Sequence, residues 1–283
     1  MHTMAVDADS VPAIASAVRH LFASLGDEHA RLIHDRRAVA YYSGGVKGHM
    51  VRFDPAVYDR IQSGVEFAYM ATLVDPGVGY VRIVGLPMGD NLAMATAIQA
   101  PIDSLRALGA EKWIVDLRYN GGGNMFPMVE GLATILGDGS AGGVTGHTAA
   151  EGGRWKVEHG DFYYDDYSVH LPNNEVPTTL PDVAVLTSMY TVSSGEVVAV
   201  AFKGRPNTRF FGEPTGGMVT ATDWTQFDPR TALMISVGNY TDRNGKVYTN
   251  FVDVDEAISF IPGQPLKSDS TVLRAITWLR NDR

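Results

Sequence analysis

Three short segments of the chain combine glycines with side chains that could react with a substrate or bind one. Residues 116–124 are rich in glycine, residues 187–196 are rich in serine and threonine, and residues 25–31 carry a histidine. The first two segments each follow a run of apolar residues that is typical of a buried strand. Because ligand sites in open α/β sheets lie beyond the carboxyl ends of the strands, we expect these two segments to meet at one edge of a sheet.

The glycine-rich segment contains Gly121, Gly122 and Gly123 in succession. Consecutive glycines let the backbone turn its N–H groups toward one place, where they can hold an oxyanion or a phosphate. The segment is not a Walker loop, because no lysine followed by serine or threonine comes after the glycines. A tight strand-to-helix turn without any ligand is the alternative that the spacing leaves open.

The serine-rich segment places Ser193 and Ser194 at the start of a predicted helix. A serine at that position lies in the positive end of the helix dipole, which stabilises an alkoxide or an oxyanion. Serine is also a preferred helix cap, so a purely structural role stays open. The segment lacks the Gly-x-Ser-x-Gly pattern, and this disfavours an α/β-hydrolase.

The histidine of the third segment, His29, follows the end of a predicted helix. A single histidine is more often a surface residue than a catalytic one. No second ligand lies at helical spacing from it, so Glu28-His29 is not a metal motif. The chain has no cysteine, which excludes disulfides, thiolate nucleophiles and cysteine metal sites. We therefore expect neither a metal nor a cofactor.

Apolar periodicity predicts the elements that would position these segments. Helices are predicted near residues 10–25, 55–63, 90–108, 126–136, 197–202 and 269–281. Strands are predicted at residues 80–84, 113–117, 183–186, 209–211, 233–237 and 246–248, with a hairpin through Trp155 and Tyr163-Tyr164. Strands that alternate with helices indicate an α/β fold.

The density of turns divides the chain near residue 75. Residues 27–78 are punctuated by Gly44-Gly45, Asp54-Pro55 and Asp75-Pro76-Gly77, which are turn signals. We expect residues 1–75 to form a small helical N-terminal subdomain that carries His29. Residues 76–283 would then form the α/β catalytic core.

The composition excludes several classes of protein. The chain has 283 residues, 45% of them hydrophobic and 19% charged, which is typical of a globular protein rather than a disordered one. A net charge of −9 without clustered basic residues argues against nucleic acid as a partner. No stretch approaches the roughly 20 apolar residues of a membrane span. The first residues lack the apolar region of a secretory signal, so a cytoplasmic location is expected if the chain is full length. The composition leaves the oligomeric state open.

Four segments of the chain resemble motifs of the S41 serine peptidases and follow one another in the order found in that family. The family includes C-terminal processing peptidases, tricorn protease and the modules of interphotoreceptor retinoid-binding protein. Residues 116–123 resemble the family's Asp-Leu-Arg-x-Asn-x-Gly-Gly segment, and residues 191–196 are similar to its Ser-Ala-Ser-Glu turn. Residues 211–217 match its Gly-Glu-x-Thr-x-Gly strand exit, and residues 25–29 resemble its Leu-Gly-Asp-Gly-His segment. The order and the separations of the four segments, from residue 25 to residue 217, cover most of the chain.

The resemblance implies a ClpP/crotonase-like layered core and a set of site residues. The family's nucleophile stands three residues before the glutamate of its turn, which is Ser193 before Glu196 here. Its oxyanion donors would be the backbone N–H of Ser194 and that of Gly122 or Gly123. Glu196 itself would pack or cap rather than react.

The resemblance also implies that the catalytic base is a histidine. Met218 stands in the region where peptidases of the Ser-Lys type carry their lysine, and methionine cannot accept a proton. His29 falls where the tricorn-like branch has its histidine. With an ordinary histidine pKa, this base predicts that activity rises with pH near about 6.5.

The tricorn-like branch has a late acidic residue that orients the histidine, and its place in this chain has to be chosen. Residues 247–258 contain acids outside the family register. We expect Asp242 rather than Glu256 to take this role, because Asp242 lies in a predicted tight turn beside Arg243.

The resemblance implies a serine hydrolase, and specifically a serine peptidase that acts on a peptide or a protein. About 50 residues separate His29 from Gly79, which leaves no room for the PDZ domain that many relatives carry there. Two alternatives stay open. One is an esterase or a lactonase that uses the same site, and the other is a non-catalytic module that binds a small molecule or a peptide.

Overall fold

A computed structural model describes residues 5–44, 47–50, 52–64, 66–146, 152–172, 176–177 and 179–281. Numbered along the chain, its helices are α1 (Val11–Leu25), α2 (Pro55–Ser63), α3 (Asn91–Ala107), α4 (Met125–Glu130), α5 (Ala133–Leu136), α6 (Ser194–Phe202) and α7 (Ser270–Asn281).

The strands are β1 (Arg31–His34), β2 (Arg37–Tyr41), β3 (Met70–Asp75), β4 (Val78–Arg82), β5 (Lys112–Asp116), β6 (Gly139–Gly146), β7 (Gly153–Glu158), β8 (Asp161–Tyr164), β9 (Tyr167–Ser168), β10 (Val183–Thr187), β11 (Thr208–Gly212), β12 (Thr220–Asp228), β13 (Thr231–Thr241) and β14 (Glu256–Ala257). Within the described residues they form two sheets.

The first sheet, which we call the core sheet, has the strand order β14-β11-β10-β5-β4-β3. Its strands run parallel except β3, which pairs antiparallel with β4. Every residue of β4 and β10 is buried. Such uninterrupted burial is expected of parallel strands that are covered on both faces, and it explains their continuous apolar sequence.

Helices cover both faces of the core sheet. Helix α7 packs against β5, β10 and β11. On the other side, α6 packs against β10 of the core sheet and also against β6 and β13 of the second sheet. All nine residues of α6 are buried, as a helix between two sheets requires. The protein therefore has the α/β layered core that the motifs implied.

The second sheet, which we call the outer sheet, has the order β2-β1-β13-β6-β7-β8-β9, and β12 also pairs with β13. Strand β1 pairs antiparallel with β13, so that Leu32 lies opposite Leu233. This pairing joins the first part of the chain to a strand that lies about 200 residues later.

The N-terminal part is not purely helical, which corrects the sequence-based expectation. It contains helices α1 and α2, but β1 and β2 belong to the outer sheet and β3 belongs to the core sheet. These strands are short and their alternation is weak, so turn signals dominate their sequence pattern. The division at residue 75 stays a prediction, and the hairpin of β3 and β4 spans that position.

Most predicted elements are present, and the boundaries of α1 follow the predicted signals. Ser10 occupies the N-cap of α1, and Gly26 ends the helix with a left-handed φ of 67°. The helix predicted over residues 126–136 is divided into α4 and α5. The strand predicted at 246–248 is reduced to an isolated bridge between Thr241 and Val247. No helix in the described part of the chain is long and apolar enough to cross a membrane.

Candidate active site

Ser193 lies at the turn between β10 and α6 in an unusual backbone conformation. Its φ is 54° and its ψ is −120°, a region that residues other than glycine rarely adopt. The turn is held by its backbone N–H, which donates to Glu196 Oε2 at 2.9 Å. Ser193 is partly exposed, whereas its neighbours on both sides are buried. The strained turn thus presents this hydroxyl at the surface of an otherwise buried segment.

Glu196 is the acceptor that holds this turn. Its carboxylate receives hydrogen bonds from Thr215 Oγ1 at 2.5 Å, Gly217 N at 2.8 Å and Met218 N at 2.7 Å, in addition to that from Ser193. Glu196 is fully buried, and burial raises its pKa to about 7. Because four donors already surround the carboxylate, Glu196 caps the turn and links it to the exit of β11.

His29 lies beside Ser193 in the structure. Its Nε2 is 3.0 Å from Ser193 Oγ, although the two residues are 164 positions apart. Burial, with a smaller contribution from the charge of Arg31, lowers the pKa of His29 to about 4, and Asp27 opposes this shift. His29 is therefore neutral at pH 7, which is the state that can accept a proton.

The elements around α1 and β1 bring His29 to this place. Helix α1 ends at Gly26, and the carboxylate of Asp27 then accepts hydrogen bonds from the backbone N–H groups of His29 at 3.1 Å and Ala30 at 3.0 Å. Strand β1 begins two residues after His29 and pairs with β13. The turn and the strand pairing together fix the histidine backbone.

A threonine and a serine that sequence reasoning missed lie behind His29. Its Nδ1 is 2.9 Å from Thr220 Oγ1 at the start of β12. Thr220 Oγ1 is 3.0 Å from Ser236 Oγ on β13. Ser236 Oγ in turn lies 2.7 Å from Asp27 Oδ1, and its N–H donates to Asp27 Oδ2 at 2.9 Å. Asp27 stands two residues before His29 in the sequence, and this short separation is the signal that could have indicated that its carboxylate lies near His29.

The glycine loop lies against the turn of Ser193. A Cβ on Gly122, whose φ is 94°, would be 2.8 Å from Ser193 Cβ. The N–H of Gly122 already donates to Asn120 Oδ1 at 3.0 Å. Gly123 is exposed with a φ of 109°, and its carbonyl accepts from Ser194 Oγ at 2.5 Å. Within the described residues, the N–H groups of Gly123 and Ser194 have no hydrogen-bond acceptor.

The loop and the serine turn meet at one edge of the core sheet, as predicted. Thr191 Oγ1 donates to the carbonyl of Leu117 at 2.8 Å, and Ser188 Oγ donates to that of Arg118 at 2.7 Å. The Arg118 guanidinium is buried between Asp116 and Asp269 and bonds both carboxylates. The threonine and serine bonds hold the ends of β5 and β10 together, and Arg118 joins the end of β5 to the residue before α7.

Asp242 is not the acid that orients His29, so this expectation was wrong. Its carboxylate accepts hydrogen bonds from Asn244 N at 2.9 Å, Lys246 N at 3.1 Å and Tyr248 OH at 2.9 Å. The physical reason is the length of β13: six residues of extended chain, or about 20 Å, separate Asp242 from Ser236. Asp242 is therefore a turn residue.

Glu256 does not orient His29 either. It lies in β14, the edge strand of the core sheet, and forms ion pairs with Arg209 at 3.3 Å and Arg274 at 2.6 Å. Both ring nitrogens of His29 have other partners. Among the described residues, no group of three or more His, Asp or Glu side chains is placed to hold a metal ion.

The chain belongs to peptidase family S41, whose profile matches residues 77–259. The nisin-resistance protein of Lactococcus lactis subsp. lactis is 29% identical over 169 residues, which are 59% of this chain and 49% of that protein. The chloroplastic carboxyl-terminal-processing peptidase 2 of Arabidopsis thaliana is 27% identical over 165 residues, covering 58% of this chain and 28% of that protein. The chain thus matches half or less of the length of these curated relatives.

Solved structures share the fold. A lipoprotein from Streptococcus agalactiae superposes with a TM-score of 0.67 at 18% identity, covering 97% of this chain and 84% of the other. A putative peptidase from Parabacteroides merdae gives a TM-score of 0.61 at 19% identity, and the match covers 98% of this chain and 85% of the other. The family profile includes Ser193 and the glycine loop, whereas His29 precedes the matched residues.

Proposed function

We propose that this chain is a serine peptidase in which Ser193 is the nucleophile and His29 is the general base. The single observation that carries the proposal is the 3.0 Å contact between His29 Nε2 and Ser193 Oγ in a chain of family S41. A neutral imidazole at hydrogen-bond distance from a hydroxyl is the arrangement that activates a serine. Met218, in the region where Ser-Lys relatives carry their lysine, has no side-chain group that could serve as the base, and its backbone N–H donates to Glu196.

The geometry supports an acyl-transfer mechanism. The Ser193 oxygen attacks the carbonyl carbon of the scissile bond while its proton passes to His29 Nε2. The resulting imidazolium gives that proton to the leaving amine, and an acyl-enzyme remains on Ser193. A water molecule, deprotonated by His29 in the same way, then hydrolyses the acyl-enzyme and restores the serine.

The N–H groups of Gly123 and Ser194 are the proposed oxyanion donors. Both lack an acceptor within the described residues, and the Ser194 side chain ties the two backbone segments together through the Gly123 carbonyl. Gly122, the other glycine considered, uses its N–H for Asn120 and is therefore the weaker choice. A donor that already has a partner must lose that bond before it stabilises a developing charge.

The proposed substrate is a peptide or an unfolded segment of a protein. Ser193 lies in a position accessible from solvent, and the relatives include a carboxyl-terminal-processing peptidase. Another relative is named for resistance to nisin, so nisin belongs in a panel of peptides to be tested as substrates.

A fluorophosphonate probe tests the proposal directly. We expect covalent labelling of the purified chain, with the modified residue identified as Ser193 by mass spectrometry. Ser193→Ala should abolish labelling without changing the urea midpoint of unfolding, and His29→Ala should slow labelling at least about 10²-fold. Labelling at Ser194 or Ser188 instead, or no labelling of the folded wild-type chain, would contradict the assignment.

A further inference from the structure

The ring of His29 begins a series of hydrogen bonds that runs away from Ser193. Nδ1 lies 2.9 Å from Thr220 Oγ1, which lies 3.0 Å from Ser236 Oγ, which lies 2.7 Å from Asp27 Oδ1. We propose that Asp27 is the positioning acid of the site, and that it sets the tautomer of His29 through the two hydroxyls. This inference rests on the proposed roles of Ser193 and His29.

The carboxylate determines the direction of every hydrogen bond in the series. A carboxylate can only accept, so the single hydrogen of the Ser236 hydroxyl points to Asp27. Ser236 Oγ is then left as an acceptor, and the hydrogen of the Thr220 hydroxyl points to it. Thr220 Oγ1 must therefore accept from His29, which places the ring proton on Nδ1. Nε2 is left without a proton, as a base facing Ser193 requires.

The surroundings of Asp27 keep it an acceptor. Its Oδ1 also receives the backbone N–H groups of His29 at 3.1 Å and Ala30 at 3.0 Å, and its Oδ2 receives that of Ser236 at 2.9 Å. These three N–H donors cannot reverse their direction. Because Asp27 always accepts, it fixes the orientation of the two hydroxyl groups, whose hydrogens could otherwise rotate.

A β-bulge brings the two hydroxyls together. The pairing of β12 with β13 shifts register between Ala221 and Thr222, so that Thr222 lies opposite Ser236 and Ala221 lies opposite Gly238. Bulges redirect side chains and recur beside active sites. At this bulge the first residue of β12, Thr220, reaches both His29 Nδ1 and Ser236 Oγ.

Variants at Ser236 and Thr220 separate this inference from a simple contact between Thr220 and His29. Ser236→Ala leaves Thr220 in place but removes the acceptor of its hydrogen, which is then free to point at His29 Nδ1. Thr220→Val removes both the donor and the acceptor with almost no change of shape, and Thr220→Ser restores them. Thr225→Val, at an exposed position on the same strand, is the matched control.

The tautomer is measured by ¹⁵N NMR of the histidine rings in the resting protein, with the His29 signals assigned by their loss in His29→Gln. We expect a protonated Nδ1 and an unprotonated Nε2 in the wild type, in Thr220→Ser and in Thr225→Val. In Ser236→Ala and Thr220→Val, a substantial fraction should carry the proton on Nε2. An Nε2-protonated wild type, or an unchanged tautomer in Ser236→Ala, would overturn the inference.

The rate of fluorophosphonate labelling gives the catalytic consequence. Ser236→Ala and Thr220→Val should label at least about tenfold more slowly than the wild type, the loss expected for one hydrogen bond, while Thr220→Ser recovers most of the rate. If the wild type is not labelled, the proposed function fails, whereas the NMR result still decides whether the series of hydrogen bonds from Asp27 sets the tautomer of His29. Equal labelling rates in all variants would contradict the positioning role.

Discussion

At the scale of single residues, burial decides the protonation of His29, whose ring lies beside Ser193. An exposed histidine would titrate near pH 6.5, but burial lowers the pKa of His29 to about 4. The group that faces Ser193 is therefore already deprotonated across the physiological range. In the proposed mechanism, the same low pKa makes the imidazolium of His29 a strong acid that readily protonates a leaving amine.

The pH profile tests this shift. We expect kcat/KM for a peptide substrate to be constant between about pH 5 and 8 and to fall below about pH 4, because the neutral form of His29 is the active one. The rise near pH 6.5 expected from an ordinary histidine should be absent. A profile with its acid limb near 6.5 would show that His29 is solvated in solution. The pH dependence of the wild-type labelling rate with the fluorophosphonate probe provides a second measurement of the same decrease at low pH.

Gly122 illustrates how a missing side chain makes room for Ser193, the proposed nucleophile. Its Cβ would lie 2.8 Å from that of Ser193, whereas a Cβ on Gly109, at nearly the same φ of 92°, meets nothing within 4 Å. Both alanine variants should lose about 1 kcal/mol of stability to backbone strain. Only Gly122→Ala should slow labelling of Ser193, by about tenfold or more, since the added methyl group displaces the Ser193 side chain.

Equal labelling rates for the Gly122→Ala and Gly109→Ala variants would contradict the close fit of Gly122. Gly123→Val, a natural choice for testing the oxyanion donor, is less informative. A Cβ at Gly123 would lie 2.1 Å from the Leu86 carbonyl oxygen, so this change should disturb the fold together with the rate.

At the scale of elements, the start of α6 depends on a single buried carboxylate. Glu196 accepts two hydrogen bonds on each of its oxygens, from the serine turn and from the segment after β11. Glutamine has one acceptor oxygen and one NH₂ group, which cannot accept. Glu196→Gln therefore leaves two of the four buried donors facing the glutamine NH₂ group, which is itself a donor.

Glu196→Gln should lower the free energy of unfolding by about 2–3 kcal/mol, because buried donors without acceptors are costly. It should also reduce labelling of Ser193, whose backbone it holds. Glu158→Gln, an exposed glutamate paired with Lys156, should change stability by less than about 1 kcal/mol. Urea denaturation of both variants is the measurement, and similar losses in the two would contradict the capping role of Glu196.

At the scale of the whole molecule, burying His29 and Glu196 makes stability depend on pH in opposite directions. The native pKa of His29 is lowered to about 4, so its contribution to stability is present above pH 6.5 and is lost as the pH falls toward 4. The native pKa of Glu196 is raised to about 7, so its contribution is present below pH 4.5 and is lost as the pH rises toward 7. Between pH 4.5 and 6.5 the two slopes oppose each other.

Replacing His29 should remove its part of this pH dependence and leave the part that comes from Glu196. The unfolding free energy of His29→Gln minus that of the wild type should increase by about 2 kcal/mol when the pH is lowered from 7 to 5. The wild type loses this stability as its unfolded state takes up a proton on His29, and each pKa unit corresponds to about 1.4 kcal/mol. Urea titrations of both proteins at the two pH values give the difference. His34→Gln, which alters a histidine of β1 that has no contact with Ser193, is the control. A constant difference between wild type and His29→Gln would refute the lowered pKa.

The sequence by itself determined the layered α/β class, the order of the main elements and the two loops that meet at the sheet edge. These follow from local patterns: buried parallel strands are continuously apolar, and glycines and serines mark the turns that follow them. The family motifs further singled out Ser193 and His29, whose catalytic roles stay a prediction, because each motif is a short contiguous segment of the sequence.

Only the tertiary structure decided which groups stand behind His29. Thr220, Ser236 and Asp27 come from β12, β13 and the turn after α1, and no local pattern links them. Their meeting depends on the register of β1 and β12 on β13 and on one β-bulge, which a polar, exposed strand such as β12 does not reveal in its sequence. Asp242 looked suitable because its turn is rigid, yet the length of β13 carries it away from the site. Burial likewise is a property of the assembled layers, and it is the largest cause of the lowering of the His29 pKa from its ordinary value to about 4.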